Sequence, residues 1–391
     1  MFSLTFNVKN MNKKISYVTI VNEHYLPLLE KLITTHQLFC RVQLTVFTVN
    51  FEYTGTPTEN VKFVRYDDEN ILEYETTGSN YLIKNDTIKY KYTTMLKPKI
   101  LNKYADLFDH SFFIDCDGLF TKNSDNLFFN SMNEFAGTSI PVPVKFYHQY
   151  SNHGNNQNIF NEDGSFNINS LTYLPLCQMY GVEPTVMHYK TTYCLYYTSK
   201  CCGFFNELES ICFDPRLSEN YDKYLPLGDE TAFNYLYSKY KFDYAISSLV
   251  CYDITNWKNI DDAVENLKHL LDTVSFIHTK RHPGDVYEGI LTEEDYSKII
   301  DTISSNYEID SKCELIEFDR KIDDKITFKS NIEGHYHLKI VSLQRPTLEA
   351  FYIMDLQLSF NYFTIKEKDK ICKDLYMIIY QGGNIVDSLK L

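Results

Sequence analysis

The sequence predicts an α/β protein with a mostly parallel sheet, followed by a small β-rich module. Three observations predict it. Short, continuous apolar runs alternate with helical stripes over the first three hundred residues. The strongest of these runs ends in paired carboxylates. From about Glu314 the helical stripes give way to strand-like runs split by turns.

Ile15–Val21 (ISYVTIV) is short, β-branched and apolar throughout, as a strand buried on both faces requires. Asn22–Tyr25 reads as a loop, and Leu26–Gln37 has helical periodicity. Val42–Asn50 and Val61–Tyr66 read as further strands. Asn85–Tyr104 carries Ile88, Tyr92, Met95, Leu96, Ile100 and Tyr104 on one helical stripe, with Pro98 as a kink or a restart. Ser111–Ile114 is a strand that runs into Asp115, Cys116, Asp117 and Gly118. Asn133–Val144 reads as an edge strand because of Pro141 and Pro143. Ser151–Ser170 is polar loop. Thr191–Thr198 is a strand, Phe204–Cys212 a helix, and Asp229–Tyr240 a helix with acids in its first turn. Val274–Ile277 is a short strand ending in His278, and Thr292 opens a helix to Ile303 with a capping box. Strand-like runs follow at Ile326–Lys329, His335–Val341, Ile353–Phe360 and Leu375–Tyr380, with charged Lys366–Lys373 between the last two. The division expected is a tail over 1–14, an α/β domain over 15–290, a helical linker over 291–313 and a β-sandwich-like module over 314–391.

Composition narrows the function. The 391 residues are 44% hydrophobic, enough for a sizeable core. A net charge of −14 argues against nucleic-acid or anionic-membrane surfaces. No run reaches the ~20 apolar residues of a membrane span, and Met1–Lys14 lacks the apolar core of a signal peptide. Met11 is an alternative start. The ten cysteines are irregularly spaced with no CxxC pair, so reduced thiols in a cytoplasmic setting are expected.

An acidic chain that handles a phosphorylated ligand needs a local cation. Asp115 and Asp117 lie just past the carboxyl end of a strand, where open α/β sheets bind ligands. A turn at Gly118 lets Asp115 and Asp117 both approach one ligand. Oxygen donors of this kind suit Mg²⁺ or Mn²⁺. The plain alternative is an Asp pair capping a turn.

The segment Phe112–Phe128 (FFIDCDGLFTKNSDNLF) resembles the DxD region of nucleotide-sugar glycosyltransferases of the GT-A fold. The organisation is similar to the glycogenin-like transferases and to glycosyltransferases of large DNA viruses, over roughly residues 15 to 290. The resemblance implies a Rossmann-like GT-A domain and a UDP-sugar donor. The acceptor it implies is a hydroxyl on a glycan, a protein or a small molecule, in the host cytoplasm if the source is viral. It implies that Asp115 and Asp117 hold Mn²⁺ or Mg²⁺ with His278 as third ligand, and that Lys280 touches the diphosphate. It further implies that Thr19 and Asn22, within Tyr17–Tyr25, and Lys97 meet the nucleotide. Asp229 and Glu230 would then serve as general base or as sugar-positioning acids.

Each residue has a plainer reading. His278 could be a hydrogen-bonded core histidine, Asp229 and Glu230 helix N-terminal charge, Lys97 a solvated helix residue, and Asn22 part of a turn. His335 and His337 share a strand face and read as a surface pair, since no third ligand accompanies them. Two rival functions stay open. Asp115–Gly118 also matches the Asp-x-Asp-Gly signature of haloacid-dehalogenase-type phosphatases, with Asp115 as nucleophile and Asp117 as acid/base. Against that, over a hundred residues of α/β precede it, and Leu119 stands where that family has Thr. The other rival is an inactive carbohydrate-binding protein.

Overall fold

The structure is a computed structural model that describes residues 14–55, 58, 60–68, 96–144, 173–184, 192–226, 228–246, 250–254, 257, 259–279 and 291–305, together with seven strands between 316 and 390. The six-stranded main sheet uses β1 (Ile15–Asn22), β2 (Leu44–Val49), β3 (Val61–Tyr66), β4 (His110–Ile114), β6 (Val142–Pro143) and β7 (Cys194–Thr198). Its order is β3-β2-β1-β4-β7-β6. The first four strands are parallel, and β7 pairs antiparallel with both β4 and β6. A second sheet runs β5 (Gly118–Phe120), β9 (Phe276–His278), β8 (Cys251–Asp253).

The main sheet is covered on both faces, which is why its strands read as unbroken apolar runs. Val18, Phe47, Phe113 and Leu195 pack against α2 (Leu96–Tyr104), α5 (Cys202–Cys212) and α6 (Asp229–Lys239). Tyr17, Val46, Phe112 and Tyr196 pack on the other face against α1 (Leu26–Phe39) and α3 (Ser124–Phe135). Each fully buried aromatic contributes on the order of 1.5–3 kcal/mol through the apolar surface it removes from water. The second sheet has its own core, where Leu119, Tyr252 and Ile277 meet α7 (Ile260–Leu270) and α8 (Glu293–Ser304). α8 begins with the expected capping box between Thr292 and Asp295. A short helix α4 (Leu174–Tyr180) also belongs to the described α/β part.

Toward the carboxyl terminus the backbone forms two antiparallel sheets. One is β10 (Ile316–Ile322), β11 (Lys325–Ser330) and β14 (Ser359–Thr364). The other has the order β13 (Glu349–Leu356), β12 (Gly334–Ser342), β15 (Leu375–Gln381), β16 (Asn384–Lys390). The run Ile353–Phe360 is not one strand; it holds the end of β13 and the start of β14, which belong to different sheets.

Other expectations are corrected. Asn133–Val144 is not a strand. Helix α3 continues to Phe135 because Leu127, Phe128, Ser131 and Met132 bury one helical stripe, and only Val142–Pro143 is extended. Asn22 opens no loop; its side chain accepts from Tyr25 N and caps a 3-10 turn, Glu23–Tyr25, that leads into α1. The stripe from Asn85 becomes a helix only over Leu96–Tyr104, with Pro98 near its start, and 85–95 lie outside the described residues. So do Ser151–Ser170, Lys280 and Lys366–Lys373. Every described cysteine is a free thiol. No described helix is long and apolar enough to cross a membrane.

Candidate functional site

In the order β3-β2-β1-β4 the chain passes from β1 outward to β2 and β3, then returns to the other side of β1. That reversal is a topological switch point, and the crevice that open α/β sheets offer to ligands falls at the carboxyl ends of its strands, here β1 and β4. Asn22 stands at the end of β1 and Asp115 follows β4. Asp115 O accepts from Gly118 N at 3.1 Å, so Asp115–Gly118 forms a tight turn that sends the chain out of the main sheet into β5. Gly118 has a packing reason. A Cβ there would lie 2.4 Å from Tyr193 Oη and 2.6 Å from Ile114 Cδ1.

The chain beyond the turn is fastened to the strand that carries His278. Thr121 Oγ1 donates to Val274 O at 2.6 Å, Asn123 Nδ2 to Leu271 O at 2.7 Å, and Ser124 Oγ to Ser275 O at 2.5 Å. Asp117 O accepts from both N and Oγ1 of Thr279, at 3.0 and 2.7 Å. Gly118 and Asp253 each sit opposite His278 in the strand register, one on either side of β9. His278 Nε2 faces Asp117 Oδ2 at 3.7 Å, and Nδ1 lies 3.0 Å from Asp253 Oδ1. The Tyr193 ring stands edge-on to the imidazole at 4.3 Å.

The second acidic pair arrives from α6. Gly228, with φ +61°, adopts a backbone that glycine supplies without strain, and it launches the helix with Asp229 and Glu230 in the first turn. Lys97, near the start of α2, reaches both groups. Its Nζ is 3.1 Å from Asp115 Oδ1 and 3.5 Å from Asp229 Oδ2, and it donates to Thr192 O at 3.2 Å. Thr192 ties the same corner together: its N–H donates to Glu230 Oε2 at 3.2 Å and its hydroxyl to Asp229 Oδ2 at 3.4 Å.

Charge separates these groups from ordinary surface acids. Burial, together with Asp117 and Asp229, pushes the Asp115 carboxyl up to about 6 against the pull of Lys97. Burial works against the Lys97 ammonium, but Asp115 and Asp229 outweigh it and hold the group above its ordinary value. Two buried histidines show the two signs of the effect. Burial lowers His36, whose main polar contact is the carbonyl of Val42. Burial also opposes charge on His278, yet Asp253 and Asp117 hold it well above its ordinary value.

The structure therefore brings together Lys97, Asp115, Asp117, Asp229, Glu230 and His278. Among the described residues no three His, Cys, Asp or Glu side chains form a closed metal centre. Asp117 and His278 converge, while the Asp115 carboxylate is engaged by Lys97. The donor chemistry still fits a hard divalent cation. Five carboxylates (Asp115, Asp117, Asp229, Glu230, Asp253) surround one lysine and one imidazole, and Nε2 is the imidazole nitrogen turned toward Asp117. Thr19 does not reach the crevice: it is 0% exposed within β1, opposite Val46. Asn22 is at the crevice edge, with its side chain engaged as a cap.

Sequence reasoning missed Asp253, Thr192 and Tyr193. It also missed a group at the ends of β2 and β3, where Asn50 exchanges hydrogen bonds with the backbone of Asp68 and Lys99 pairs with the Asp68 carboxylate at 2.7 Å. Asn50 has φ +59°, which a strand pattern alone does not reveal.

No protein-family model matches the chain, and no curated protein matches it by sequence. Among the solved structures that match the chain are three glycosyltransferases. The galactosyltransferase LgtC, in complex with donor and acceptor sugar analogues, is 14% identical, with 75% of this chain and 98% of that chain covered, at a TM-score of 0.40. The bifunctional WbbM, in its apo form, is 12% identical, covering 79% and 52%, at 0.43. Mouse xyloside xylosyltransferase 1, also apo, is 8% identical, covering 68% and 97%, at 0.40. The likeness is distant, and nothing in it supports a viral source. What the chain does is read from its own side chains.

Proposed function

We propose that the chain is a metal-dependent glycosyltransferase that moves a sugar from a nucleotide sugar, with UDP the nucleotide the family resemblance implies, to a hydroxyl acceptor. The observation that carries this reading is the meeting, at the carboxyl-end crevice between β1 and β4, of the Asp115–Asp117 turn, His278 and the acidic start of α6.

Asp117 and His278 Nε2 would hold Mn²⁺ or Mg²⁺, with Asp115 joining them. When bound, the cation supplies charge that neutralises the departing diphosphate. Asp115 would join the cation from its contact with Lys97, whose second contact with Asp229 would keep a positive charge beside the donor site. Thr192 fixes the direction of Asp229 and Glu230, one of which takes the acceptor proton in an inverting reaction or positions the sugar in a retaining one. Lys280 is the further basic residue expected at the diphosphate. Asn22 lines the nucleotide edge.

The phosphatase alternative loses its main support. Gly118 is required by the close approach of Tyr193 and Ile114, so it needs no catalytic explanation. The test is nucleoside diphosphate release from a panel of nucleotide sugars with Mn²⁺. Asp117→Asn is expected to lower it on the order of 10²-fold or more, the scale seen when one preorganised charge-stabilising group is removed. Unchanged release in Asp117→Asn sinks the site assignment. Phosphate release from p-nitrophenyl phosphate with no donor turnover points to the phosphatase, and binding without turnover points to the inactive protein.

A further inference from the structure

We infer that Asp253 is the positioning residue that makes His278 a cation ligand, by holding its Nδ1–H and presenting Nε2 to the site. The inference rests on the reading of Asp117 and His278 as ligands given above.

Asp253 is the last residue of β8 and is 4% exposed. Its place is dictated by strand pairing. β8 runs parallel to β9 with Asp253 opposite His278, while β5 runs antiparallel to β9 with Gly118 opposite the same histidine. The three strands thus set Asp253, His278 and the DxD turn at one level of the sheet.

The chemistry follows from that placement. An ionised carboxylate only accepts hydrogen bonds, so the 3.0 Å contact requires the proton on Nδ1. The lone pair of the neutral ring is then on Nε2, the nitrogen 3.7 Å from Asp117 Oδ2. Tyr193, edge-on at 4.3 Å, closes one side of the ring and limits its rotation. A buried carboxylate behind a ligating imidazole fixes its tautomer and orientation and raises its donor strength. The effect of Asp253 on the site runs through its 3.0 Å contact with the histidine.

The experiment measures Mn²⁺ affinity of the full chain by calorimetry, without donor, for wild type, Asp117→Asn, Asp253→Asn and Asp253→Glu. Asp253→Asn preserves shape but loses the charge, and its amide can turn to favour the wrong tautomer. Its Kd is expected to rise by roughly 10- to 100-fold, the usual cost of losing such a partner. Asp253→Glu, which keeps the charge, is expected to recover part of that loss. A role confined to folding leaves the Kd of the folded variant unchanged, and that result overturns the inference while the Asp117 effect keeps the glycosyltransferase reading intact. A wild type that shows no Asp117-dependent Mn²⁺ binding overturns both. Should Asp253→Asn not fold, nitrogen NMR of histidine-labelled wild type with diamagnetic Zn²⁺ decides: a proton on Nδ1 and metal on Nε2 is expected for His278, and metal on Nδ1 overturns the inference.

Discussion

The crevice contains the same arrangement twice. On one side Lys97 stands between Asp115 and Asp229; on the other His278 stands between Asp117 and Asp253. Each is a cationic side chain bridging two carboxylates, and both are largely shut off from water. They differ in what the cation can give up. Lysine beside two carboxylates is held above its already high ordinary value, so it keeps its proton around neutral pH. An imidazole can lose its proton and become a ligand, while the partner on Nδ1 stays in place. On the proposed reading, a divalent cation would enter at the histidine half, with the lysine half yielding one carboxylate.

The largest expected effect comes from breaking the lysine half. Lys97→Met leaves Asp115 and Asp229 facing each other with no bridging charge. Removing one member of a buried pair costs about 3–5 kcal/mol. The Asp115 side chain is 34% exposed, so water screens part of this and the lower end applies. A loss of about 3 kcal/mol lowers Tm by roughly 6 °C or more in a domain of this size. Mn²⁺ should restore part of the drop, because it supplies the missing charge to Asp115. A Tm that falls without any recovery in Mn²⁺ means that the two halves do not share a carboxylate.

A second effect tests the wall of the histidine half. Gly118→Ala drives a methyl against Tyr193 Oη and Ile114 Cδ1. Overpacking of this kind costs about 1–3 kcal/mol. Adding Tyr193→Phe removes the nearest atom and should recover only part of the loss, since Ile114 stays in the way. Thermal denaturation of the two variants checks it; an Ala variant as stable as wild type means the turn can shift freely and does not pin His278.

How much of this was legible in the sequence follows from how local each cause is. The apolar run before Asp115 and the glycine before Asp229 act on their own neighbours, and both the strand end and the helix start stand where their patterns put them. The acids of the first turn and the capping box at Thr292 are local in the same sense. Lys97 was expected to meet the nucleotide, but its bridging of Asp115 and Asp229 depends on how α2 and α6 meet over the sheet. Asp253 was not legible at all. It lies on a three-residue strand, and its meaning comes from a parallel register with residues 25 positions away. Thr19 shows the opposite limit: a place on the first strand says nothing about depth, and its side chain is buried within the sheet. The run ending at Val144 misled because the apolar stripe of a helix passes directly into a two-residue strand.

The smallest effect separates the two halves by pH. Asp115, raised to about 6, keeps in the folded state a proton that the unfolded chain loses near its ordinary value, so the cation-free protein loses stability as pH rises from about 4 to about 6. His278 is raised well above its ordinary value, so its contribution is complete below about 6.5 and is lost as pH climbs through the folded value. Both trends run downward with pH. On the proposed reading a bound divalent cation would reverse them, because it would require Asp115 ionised and Nε2 unprotonated and would release those protons on binding. The Tm difference between Mn²⁺-loaded and cation-free protein should therefore widen from pH 5.5 to 8. Each proton displaced adds about 1.4 kcal/mol of binding free energy per pH unit while its group titrates. In His278→Gln the part of that rise above about pH 6.5 should vanish, leaving only the Asp115 portion at lower pH. A Tm difference that stays flat in the wild type means that no proton leaves when the cation binds, and that the imidazole half is a fixed ion pair like the lysine half.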